Sequence, residues 1–148
     1  MNQEHLAIAS VPVQEWSVTL DAKEALQTGT IFPELNKPFF VTEKPESALN
    51  KGKKPEELGK REQLMLDIQQ ISFVLDDIRL FMDTHPEEKN GLELLKTALK
   101  TRKGLLAEFA VQFYPLTMDC MTDVYAKEPT SECYCWAEGP MPWEGACV

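Results

Sequence analysis

Two stripes of apolar residues, one on each side of a short polar break, constrain this chain more than any other feature. Leu64, Ile68, Ile71, Leu75, Ile78 and Met82 recur at alternating steps of four and three. Leu92, Leu95, Leu99, Arg102, Leu106, Phe109 and Phe113 repeat the pattern, with Arg102 its one polar interruption. Such spacing aligns each set along one side of an α-helix, as in a coiled-coil seam. Between the stripes, Asp83-Thr84-His85-Pro86-Glu87 reads as a stop and a restart. Thr84 with Glu87 resembles a capping box, and Pro86 suits a first helical turn. So short a connection makes the helices antiparallel neighbours, and residues 61–114 are expected to form a helical hairpin.

That hairpin carries more apolar surface than one seam buries. Leu66, Phe73 and Leu80 repeat every seven residues, about 160° round the helix from the first stripe. Two compatible readings follow. Residues 31–40 and the tail fold back over this second face, or the face meets a partner or a second copy, since large exposed apolar patches mark contacts.

The rest of the chain is arranged around the hairpin. Residues 42–60 hold two prolines, two glycines and nine charges, the composition of a solvated, flexible connector. They separate a module at 1–41 from the hairpin, which is followed by a Cys/Trp-rich tail at 115–148. In the first module Asp21 with Glu24 resembles a capped helix start, and Gly29 sits where a residue of positive φ would end about two turns. Ile31, Phe32, Pro33, Leu35, Pro38, Phe39 and Phe40 then form a proline-broken apolar run that must lie against something. The expected class is all-α: an antiparallel two-helix hairpin, a short N-terminal helix, and extended aromatic and proline-rich arms at both ends.

Charge excludes some roles. The 148-residue chain has a formal net charge of -9, which disfavours sequence-independent nucleic-acid binding and docking on anionic lipid. No apolar run reaches spanning length, and residues 1–20 lack the pattern of a signal peptide, so synthesis in a cytosol is expected.

Catalytic constellations are not evident. The two histidines are His5, near the N-terminus, and His85, which reads as a turn or cap residue. Asp76-Asp77 and Glu87-Glu88 read as solvated faces or first-turn charges. No Glu-x-x-His pair, phosphate loop or nucleophile elbow occurs, and no catalytic residue or cofactor is assigned. Cys120, Cys133, Cys135 and Cys147 are separated by twelve, one and eleven residues. Zinc sites favour pairs spaced by two to four, so structural thiols or later disulfide crosslinks fit better than a metal or redox module on these four. Trp136 and Trp143, with Tyr134 and Pro140-Met141-Pro142, suit contact: tryptophan brings large buried area and proline limits the entropy lost on ordering.

Several of these stretches are similar to a known family. Leu80-Phe-Met-Asp-Thr-His-Pro-Glu-Glu88, a second helix ending near Phe113-Tyr114-Pro115-Leu116, and the close on Trp136 and Pro-Met-Pro-Trp-Glu resemble the spore coat protein CotJB. Val11-Pro12-Val13-Gln14-Glu15-Trp16 and Glu24-Ala-Leu-Gln-Thr-Gly-Thr-Ile-Phe-Pro-Glu-Leu35 resemble the coat-associated protein CotJA. These two families usually exist as separate small chains, and here they look fused through residues 42–60. Where the CotJB close often reads Pro-Trp-Pro-Trp, this chain has Pro-Met141-Pro-Trp143 and adds Gly-Ala-Cys147-Val.

The resemblance implies a protein made in the mother-cell cytoplasm and placed in the endospore coat, beside the manganese-catalase-like CotJC. It implies no catalytic activity for either part. The expected role is a non-enzymatic coat component that binds the catalase-like protein and other coat proteins, with self-association also open. Leu66, Phe73, Leu80, Phe32, Phe39, Phe40, Trp136 and Trp143 are the expected contact residues.

Overall fold

The computed structural model describes residues 13–37 and 59–139. Helix α1 spans Ala22–Thr28, α2 Lys60–Thr84, α3 Lys89–Gln112 and α4 Met121–Lys127, and no strand occurs among the described residues. The all-α class follows.

Local chemistry sets the helix ends. The Asp21 carboxylate accepts the Glu24 N–H at 2.8 Å, and Gly29, at φ 88°, closes α1 with its N–H on the Ala25 carbonyl. Helix α2 begins at Lys60, one residue before the expected start of the hairpin: Gly59 is its cap, and Glu62 Oε2 accepts the Gly59 N–H at 3.1 Å. The connector from 42 to 58 lies outside the described residues, as do Phe39, Phe40, Trp143, Cys147 and His5.

The break between α2 and α3 corrects the sequence reading. Thr84 does not cap α3. Its hydroxyl donates back to the Phe81 carbonyl at 3.0 Å, which keeps Thr84 in the last turn of α2. His85 is the C-cap of α2, its ring stacked on Phe81 at 4.4 Å. Helix α3 starts three residues past Pro86, where the Glu88 carboxylate accepts the Asn90 N–H at 3.2 Å.

Helices α2 and α3 lie side by side in opposite directions. Ala98 of α3 packs with Ile78 and Phe81 near the break, while Leu106, Phe109 and Ala110 pack with Leu64 and Ile68 at the far end. Between these groups the Arg102 Nε donates to Ser72 Oγ at 2.9 Å, so the polar interruption in the second stripe has a half-buried partner. The buried line of α3 is Gly91, Ala98, Leu106, Phe109 and Ala110: Leu106 and Phe109 of the expected stripe are buried and Leu95 and Phe113 pack against the cores, but Leu92 and Leu99 do not. The helix turns its small residues Gly91 and Ala98 inward, and Leu92 and Leu99 consequently face out.

Two cores result, one at each end of the pair. In the upper core Ala25, Ile31 and Phe32 pack on Val74, Ile78, Phe81 and Ala98, with Trp16 and Leu20 alongside. In the lower core Cys120 joins Leu64, Ile68, Leu106, Phe109 and Ala110, with Tyr114, Leu116 and Val124 against them. The tail is therefore not simply extended: Met118–Cys120 forms a 3-10 turn that leads straight into α4. Leu116, Cys120 and Val124 recur four residues apart and return that segment to α3.

Candidate functional site

Residues 16–32 are seated on the flank of α2 that carries Val74, Asp77, Ile78 and Phe81. One Asp77 carboxylate oxygen accepts the Ile31 N–H at 2.7 Å and the Thr30 hydroxyl at 3.0 Å. The Thr30 oxygen in turn accepts the Phe32 N–H at 3.0 Å. A carboxylate taking two donors in a partly buried place makes strong, charge-assisted bonds. Around it Trp16 meets Phe32 and Phe81 edge-on at 5.7 and 5.5 Å. Asp77 is thus not a solvated helix charge. Its neighbour Asp76 is, lying exposed and 3.6 Å from Arg79.

This arrangement sorts the expected contact residues. Phe32 is 1% exposed, so its ring is enclosed by the chain's own upper core and is not presented to a partner. Phe73 packs half-buried at the edge of that core, and Leu66 is half-buried further along α2. Leu80 stands clear at 63% exposure. Sequence reasoning missed Leu92 and Leu99, which are 39% and 52% exposed, because it placed both in the seam. With Leu106 they fall on one line of α3 at seven-residue steps, and the tail covers that line only from Leu106 onward.

The tail contributes its own outward aromatics. The Tyr125 hydroxyl donates to the Cys133 carbonyl at 2.9 Å and ties the loop after α4 back to that helix. Tyr134 is exposed, and Trp136 keeps 38% of its surface in solvent within the 3-10 turn Cys135–Glu138. Gly139 then lies close against Tyr114, whose hydroxyl accepts from the Arg61 guanidinium at 2.7 Å.

The cysteines are placed apart in role. Cys120 is a core residue with its sulfur 3.1 Å from Thr117 Oγ1. The Cys135 thiol is buried and directed at the Cys133 carbonyl, 3.6 Å away. Among the described residues no group of three or more His, Cys, Asp or Glu side chains is set to hold a metal ion, so Cys120, Cys133 and Cys135 are not brought together as one ligand set. His85 serves the end of α2, with Nδ1 2.8 Å from Thr84 Oγ1. Among the described residues no helix is long and apolar enough to cross a membrane.

Comparison with known proteins matches two families to two separate parts of the chain. The CotJB protein family model matches residues 62–144, and that of the spore coat associated protein JA (CotJA) matches residues 5–39. A search of curated proteins finds no match, and neither does a search of solved structures. The CotJB match covers α2 from its third residue, α3 and α4, more than half of the chain, and the CotJA match contains α1 and the Thr30–Phe32 contact. The chain therefore belongs to the CotJB protein family, with a CotJA segment fused ahead of it, and stands among spore-coat-associated proteins.

Proposed function

We propose that this protein is a non-enzymatic structural component of the bacterial endospore coat, made in the mother-cell cytoplasm. Its helical hairpin and flanking arms would fasten it to a manganese-catalase-like coat protein. The observation that carries this reading is apolar surface left over once both cores are filled: Leu80, Leu92, Leu99 and Trp136 all lie outside the enclosed clusters. Exposed apolar residues in number suit a protein that works in an assembly, and aromatic anchors dominate such contacts. Half-buried Leu66 and Phe73 on α2 are included in the proposed contact. Phe39, Phe40 and Trp143 extend the proposal into the arms beyond the described residues. Spore coat family membership supports the setting.

Capture of the catalase-like protein on immobilised chain tests it. Leu80→Ser combined with Trp136→Ser is expected to lower capture by at least tenfold, the scale of two lost apolar anchors. Both side chains are already exposed, so helicity should be unchanged. Undiminished capture by the folded double variant would show that these residues are not the contact.

A further inference from the structure

We infer that the α2 flank built by Val74, Asp77, Ile78 and Phe81 is a recognition site for the CotJA-type segment as a separate peptide. CotJA-type and CotJB-type chains would then pair through it without any covalent connection. Two observations lead there independently. The family matches are disjoint, and residues 40–61 belong to neither. Yet the two matched parts share one core, in which Ala25 and Ile31 are fully enclosed and Phe32 nearly so.

The chemistry of the contact is that of peptide recognition rather than of a passive fold. Asp77 reads backbone and side chain together, taking the Ile31 N–H and the Thr30 hydroxyl on one oxygen. The αL turn at Gly29 ends α1 and sends Thr30, Ile31 and Phe32 onto the helix. A backbone hydrogen bond reinforces this course, with the Leu20 N–H donating to the Ile31 carbonyl at 2.8 Å. Trp16 then covers Phe32 from outside. The ligand class is accordingly a short peptide: an Asp-capped helical turn, a glycine of positive φ, and Thr-Ile-Phe, with an aromatic residue ahead of the helix. A covalent link between the two parts would raise the local concentration of the peptide at this flank.

The test uses the full chain carrying a protease recognition sequence within residues 42–58, cut under native conditions. Both pieces are expected to co-elute as one peak of 1:1 mass on size exclusion with light scattering. A labelled synthetic peptide of residues 13–37 should exchange into the cut complex. The same peptide with Thr30→Val or Phe32→Ala should compete on the order of tenfold or more less well, from loss of a charge-assisted hydrogen bond or a buried ring. These changes sit in the peptide, so the helical piece is unaltered. Separation of the cut pieces, or equal competition by all three peptides, would overturn the inference. Neither result depends on whether the chain binds a catalase-like protein.

Discussion

Gly29 and Gly104 make opposite demands on a side chain. Gly29 holds φ at +88°, where a Cβ costs about 1–2 kcal/mol, so Gly29→Ala should lower stability by roughly that much. Gly104 lies inside α3 with nothing within 4 Å of an added Cβ, so Gly104→Ala should raise stability by about 0.5–1 kcal/mol. Urea midpoints of the two variants should move in opposite directions. The role of Gly29 was legible in the sequence, because a glycine two turns after a capping Asp has few other readings. That of Asp77 was not. Its donors, Thr30 and Ile31, lie 47 and 46 residues away, and nothing in the local pattern Asp76-Asp77 separates the partly buried carboxylate from the exposed one. Asp77→Ala should speed hydrogen exchange at the Ile31 amide and weaken the fold by about 1.5–3 kcal/mol per charged bond lost. Unchanged exchange at Ile31 would remove Asp77 from the upper core's support.

Two long helices were legible because their apolar positions keep the helical period for about five and six turns. The rotation of α3 was harder to see. Counting large residues favours Leu92 and Leu99 for the seam, whereas close approach of two helices favours Gly91 and Ala98. Helix α4 escaped notice for a related reason. Seven residues show only two apolar repeats, too few to fix a period. The separation of the cores along α2 leads to a prediction for the elements. Ile31→Val in the upper core and Ile68→Val in the lower should each cost about 0.5–1.5 kcal/mol. Because the two residues share no packing partners, their costs should add to within about 0.5 kcal/mol. A coupling energy well above that, measured by denaturant unfolding of the single and double variants, would mean that the Arg102–Ser72 contact does not divide the pair into separate packing regions.

At the scale of the whole molecule, the chain joins two coat-associated segments around one helical pair, and the join shows how surface is allotted. The N-terminal segment encloses the upper flank of α2 and the tail encloses the lower half of α3. Leu80, Leu92, Leu99 and Trp136 remain outward. The sequence showed that surplus apolar surface exists, since two stripes and a seven-residue repeat cannot share one seam. It did not show which residues make up the surplus, because that depends on where segments far apart in the chain come to rest. The most direct measurement is light scattering after size exclusion, on this protein alone and then mixed with the manganese-catalase-like coat protein. A co-eluting complex of defined mass, lost when Leu80 and Trp136 are both changed to Ser, is the predicted result. Two separate peaks, each at the mass of its own component, would contradict the proposed role.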